Sequence, residues 1–67
     1  MNSKDTIALA RKHISNGALM ESSARVCLTD AVTLYDAGEF DFAKSRALKS
    51  LAYSVGVFHA DYARASV

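Results

Sequence analysis

The sequence predicts an all-α protein: an antiparallel hairpin of two long helices, preceded by a short N-terminal helix and assembled as a dimeric helical bundle. Three observations carry that expectation. Proline is absent and glycine occurs only three times in 67 residues, which suits a helical chain with few interruptions. Apolar residues recur at alternating spacings of about four and three, the period of one helix face. Between two such runs lies Leu34-Tyr35-Asp36-Ala37-Gly38-Glu39-Phe40-Asp41-Phe42-Ala43, which reads as the joint between two helices. Gly38 can take the left-handed backbone that ends a helix. Asp36, Glu39 and Asp41 place negative charge at the start of the next, where the macrodipole favours it.

Helix 1 is expected over about residues 4–15. Ser3 serves as its N-cap and Asp5 sits in the first turn. Ile7, Ala10 and Ile14 share one face, Arg11, Lys12 and His13 lie near the C-terminal end, and Asn16-Gly17 is the stop. Helix 2 is expected over about 18–37. Met20, Ala24, Cys27, Ala31 and Leu34 form a seam facing another helix. Leu28 and Tyr35 widen it, with Val32 at the margin. Ser22, Arg25, Thr29 and Thr33 fall opposite, and Glu21 precedes Arg25 by one turn, the favourable order for a helical ion pair. Helix 3 is expected over about 39–64. Phe40, Ala47, Leu48, Leu51, Val55, Phe58 and Tyr62 form its main apolar face. At about 1.5 Å per residue it outreaches helix 2, leaving an overhang for helix 1 or a second subunit to cover. Ala43, Ala47 and Ser54, with Gly56 nearby, are small enough to let helices approach closely.

The chain reads as one domain, residues 1–67. Domains below roughly 70–80 residues have thin cores and are usually reinforced by disulfides, metals or a partner. Cys27 is the only cysteine, so an internal disulfide is impossible. No ligand set with zinc-like spacing is visible either, since Cys27, His13 and His59 are scattered. Association is the remaining device. Half the residues are apolar (51%) and the net charge is only +1, so a homodimer is expected, with Leu51, Val55, Phe58 and Tyr62 as its contact residues.

The polar start Met1-Asn2-Ser3-Lys4-Asp5 argues against a signal peptide, and no apolar run reaches the roughly 18 residues a membrane span needs. With a lone thiol, this places the protein in a reducing cytoplasm. Near-neutral charge gives no general pull toward nucleic acid.

Helix 3 carries a second stripe of Phe42, Arg46, Lys49, Tyr53, Val57 and Arg64. Cations alternating with aromatics suit a protein interface in which the charges reach the rim. Phe42, Arg46, Lys49 and Tyr53 are therefore the candidate partner surface. The alternative is nucleic acid, with Arg46 and Lys49 on phosphates and Tyr53 stacked on a base. A helix-turn-helix reading is weak. The helix after Gly17 offers only Arg25 as a strong base-edge reader, and the acids around Gly38 repel a phosphate backbone. Cys27 reads as a buried seam residue, since no base is placed beside it. His59, at the margin of the main helix 3 face, reads as a packed or half-exposed histidine. The acids at the joint are explained as helix-end residues, and Gly-rich phosphate loops are absent. The expectation is a non-enzymatic protein with no cofactor and no metal.

Gly38, Phe40 and Ala43 resemble the inter-helix turn of a tetratricopeptide repeat. The Trp, Leu-Gly and Tyr pattern of that repeat, its closing Pro and its further copies are missing, so the resemblance implies shared turn geometry alone. The chain as a whole resembles the small helical proteins of the early exo–xis region of lambdoid phages. The segments that carry this are Met1-Asn2-Ser3-Lys4-Asp5-Thr6-Ile7-Ala8-Leu9-Ala10 and Phe40-Asp41-Phe42-Ala43-Lys44-Ser45-Arg46-Ala47-Leu48. The resemblance implies an accessory protein of the infected bacterial cytoplasm. It would influence lytic development or host cell processes through contact with a host or phage protein. A small dimeric nucleic-acid-binding regulator is the alternative, and one half of a toxin–antitoxin pair a weaker third reading.

Overall fold

Asn2, not Ser3, opens the first helix: its side-chain Oδ1 accepts the backbone N–H of Asp5 at 2.8 Å. Ser3 is already helical. The computed structural model describes residues 1–67 and contains α-helices only. They are α1 (Ser3–Ser15), α2 (Glu21–Asp36), α3 (Phe40–Val55) and α4 (Ala60–Ala65). The all-helical class is therefore as expected, but the two long helices are shorter than the sequence suggested, and there is a fourth.

Helix 2 starts at Glu21 instead of residue 18 because the segment before it has another use. The backbone N–H groups of Leu19 and Met20 donate to the carbonyls of Ser54 and Tyr53, each at 3.0 Å. These two α3 carbonyls belong to its last turn, where no intrahelical donor is available. The chain thus crosses the end of α3 before α2 begins.

The 39–64 helix is corrected more sharply. It stops at Val55, and Gly56 takes φ 89°, ψ 157°, a region essentially reserved for glycine. A mid-helix glycine costs only about 1 kcal/mol, so periodicity alone runs through it. The positive φ is what ends α3. Gly38 likewise has φ 81°, closing α2 as the sequence implied.

Inside, α2 and α3 meet through small side chains. Ala24, Ala31, Ala43 and Ala47 have no exposed surface. The hydroxyl of Ser50, on α3, donates to the carbonyl of Ala24, on α2, at 2.8 Å. Ala31, Ala43 and Ala47 cluster with Ile7 of α1, with Leu28, Val32, Leu34 and Tyr35 around them. A second cluster joins Leu9 and Ala10 of α1, Leu51 of α3 and Ala65 of α4. Six of the eleven buried apolar residues are alanines, and Leu51 is the largest fully enclosed side chain. The Ser54 hydroxyl is buried with no hydrogen-bond partner.

Because the Gly56 Cβ position is sterically open, the cost of filling it is purely conformational. Gly56→Ala is expected to lower stability by about 1–3 kcal/mol, read from chemical denaturation with unchanged helix content. An Ala variant as stable as the parent would mean that the backbone there is free to change.

Candidate functional site

The C-terminal end of α1 and the start of α4 bring three polar side chains together. His13 lies in the last turn of α1, where a positive imidazole is favoured by the helix dipole. After Gly56 redirects the chain, His59 becomes the N-cap of α4: its Nδ1 accepts the Asp61 backbone N–H at 3.0 Å. That bond fixes the His59 tautomer, since an accepting Nδ1 carries no proton. Asp61 then turns back toward α1, and its Oδ2 lies 2.7 Å from His13 Nε2. Its other oxygen accepts from Arg64 at 3.1 Å.

The His13 and His59 rings stand nearly edge to face, with centroids 5.4 Å apart at 73°. One ligating atom from each of His13, His59 and Asp61 lies within 4.8 Å of the others. The side chains of His13 and Asp61 are 16% and 25% exposed, while His59 is exposed, so the group opens to solvent on the His59 side. The hydrogen bond from His13 does most to hold the Asp61 carboxyl below its ordinary value of 3.8; burial opposes it, and the charge of Arg64 adds a lesser lowering effect.

Chemically this is a latch. It connects residues 48 positions apart and fixes α4 to α1. A second tie is the Met1 ammonium, which donates to the Val67 carbonyl at 2.7 Å. Lys44 Nζ adds a 3.1 Å contact to the same carbonyl.

The sequence-based site residues sit elsewhere. Leu51 is fully enclosed against Leu9, Ala10 and Ala65, so its surface is spent inside its own chain. Val55 and Tyr62 are half-buried against that same cluster. Phe58 alone of the four is open, fully exposed in the α3–α4 loop. Its placement on helix 3 is corrected by the break at Gly56.

Phe42, Arg46, Lys49 and Tyr53 do share the outward side of α3. Phe42, Arg46 and Lys49 are exposed and Tyr53 is half-buried. Lys49 and Tyr53 face Ser22 and Val26 of α2 across a shallow groove of about 300 Å³. Arg46 and Lys49 have no carboxylate partner, while Arg64, expected on the same stripe, is on α4 and pairs with Asp61. Cys27 is buried in α2 as expected. A groove of about 260 Å³ between α1 and α2 has Ile7, Val32 and Tyr35 as apolar lining, with Lys4 and Arg11 at its rim.

The apolar periodicity that carries helix 3 to residue 64 hides the His13–His59–Asp61 group. A straight helix carries His59 and Asp61 away from α1. Gly56 read as a stop, with His59 as a cap two residues before Asp61, was the available signal.

No family model, curated protein or solved structure matches the chain.

The depressed carboxyl sets the sign of a pH effect. A group whose folded pKa is lowered stabilises the fold above its unfolded value and loses that contribution as pH falls through the folded value. The parent is expected to exceed Asp61→Asn in stability at neutral pH. The gap should close below about pH 4. A gap that persists unchanged into acid would show that the carboxylate charge is not what holds α4.

Proposed function

We propose that this chain is a non-enzymatic accessory protein that works by protein–protein contact, and that its first partner is a second copy of itself. The observation that carries the reading is the placement of the phenylalanines. The chain has three, and Phe40, Phe42 and Phe58 are exposed by 52%, 65% and 100%. Six of the eleven buried apolar residues are meanwhile alanines, and none is aromatic. Aromatic side chains offer the largest apolar areas of any residue type, and here those of Phe42 and Phe58 face outward, while Phe40 packs one side of its ring against Tyr35. Leu19 (78%), Met20 (56%) and Val57 (52%) are also exposed. Through the Leu19 and Met20 bonds to the last turn of α3, they lie at the same end as Phe58.

Two helical hairpins meeting through Leu19, Met20, Val57 and Phe58 would cover this end. The outer side of α3, with Phe42, Arg46, Lys49 and Tyr53, would stay free for a host or phage protein. Leu51, fully enclosed in its own chain, takes no part in such a contact. The sequence resemblance supplies the setting: a phage-encoded cytoplasmic protein acting on lytic development or host cell processes. That no helix is long and apolar enough to cross a membrane is compatible with this setting.

Direct nucleic-acid binding is the second reading, favoured by two unpaired cations beside Tyr53 on one face. It predicts affinity that falls steeply with salt and weakens in an Arg46→Ala, Lys49→Ala double variant. Salt-insensitive or absent binding supports the protein-partner reading.

Light scattering on the eluting protein tests self-association. The expected mass is twice the 7.2 kDa of one chain at micromolar concentration. Phe58→Asp, at a fully exposed position, is expected to give a folded species of half that mass. A folded monomer for the parent across the micromolar range overturns the dimer.

A further inference from the structure

A chain with an alanine interior and no disulfide gains most from a staple, and one set of side chains has the chemistry to form it. The geometry points to a binding site for a divalent transition-metal ion of the zinc class, held by His13, His59 and Asp61, that clamps α4 to α1. This goes beyond the interaction role and does not depend on it.

The donors come from two separate elements and converge within 4.8 Å. Two imidazoles and a carboxylate form a donor set typical of zinc and related ions. Magnesium and calcium prefer oxygen ligands and are disfavoured by two nitrogens. The hydrogen bonds already present leave binding capacity unused. His13 engages only its Nε2 and His59 only its Nδ1. Arg64 holds the second oxygen of Asp61, an outer-shell contact of the kind that orients a ligating carboxylate.

The distances also say what must move. Ligands about 2.0–2.1 Å from a tetrahedral ion lie roughly 3.3 Å apart. The 2.7 Å separation of His13 Nε2 and Asp61 Oδ2 therefore opens by about 0.6 Å, and His59 closes in. Ligation by either nitrogen of His59 ends its cap bond. An Nδ1 bound to metal has no lone pair for the Asp61 N–H, and ligation through Nε2 puts the proton on Nδ1. The ion thus exchanges one cap and one latch for three coordinate bonds joining α1 to α4. Water fills the fourth position.

Zinc ion alone, titrated into the EDTA-stripped full chain, tests the site. Calorimetry should give one saturable ion per chain. At free zinc about 100 times the dissociation constant, the Tm should rise by roughly 10–20 °C. In NMR spectra the imidazole nitrogens of His13 and His59 and the amide of Asp61 should move most. His59→Asn retains an N-cap acceptor and removes the ring, so it should fold normally and lose at least about tenfold in affinity. Asp61→Asn should lose a similar amount. No saturable binding to the parent, or full affinity in the folded His59→Asn variant, overturns the site.

Discussion

The close approach of α2 and α3 through alanine and serine is the constraint on which the rest of this structure depends. Ala24, Ala31, Ala43 and Ala47 have no exposed surface. At these four positions nothing larger than a methyl group is enclosed, which permits close approach of the two helices. At that distance the Ser50 hydroxyl reaches the Ala24 carbonyl, a bond that a seam of leucines would hold out of range. The α2–α3 contact thus relies on many small dispersion contacts between methyl groups and backbone, while Ile7, Leu9, Ile14 and Leu51 supply the larger buried side chains.

That choice determines where the large residues go. With the α2–α3 seam closed to bulk, Ile7 and Leu9 of α1 and Leu51 of α3 fill the two sides of the interior. The phenylalanines have no place there. They remain outside, where they are available to a partner. The thin interior also makes the short α4 dependent on ties other than burial. Ala65 is its one fully buried residue and Tyr62 packs half-buried on the same cluster, so the His13–Asp61 contact and the Met1–Val67 hydrogen bond add to a small apolar contact. The same economy thus accounts for the outward aromatics and for the polar cluster between α1 and α4.

Much of this was legible in the sequence, for identifiable reasons. Gly38 flanked by acids and by two apolar periodicities marked the α2–α3 joint, because positive φ and helix-end charge are local properties. The Ala24–Cys27–Ala31 seam followed from spacing alone. The possibility that Ala43, Ala47 and Ser54 permit close approach was visible too. What escaped depended on tertiary context. Gly56 lies within an apolar pattern that continues past it through Phe58 and Tyr62, so periodicity outweighed the glycine. Leu19 and Met20 read as helix because nothing local reveals that their N–H groups serve the end of α3. Leu51 read as an interface residue because a face pattern cannot say whether its cover comes from the same chain. The His13–His59–Asp61 group was hidden by the same error at Gly56, since cluster geometry requires the turn.

Ala47→Leu tests the seam most directly, with Ala63→Leu on the exposed side of α4 as its control. If α2 and α3 are in contact at methyl distance, the added bulk at position 47 destabilises the protein by about 1–3 kcal/mol, while the control changes it by less than about 0.5 kcal/mol. Equal or greater stability for Ala47→Leu in chemical denaturation would show room between the helices, and would contradict the account.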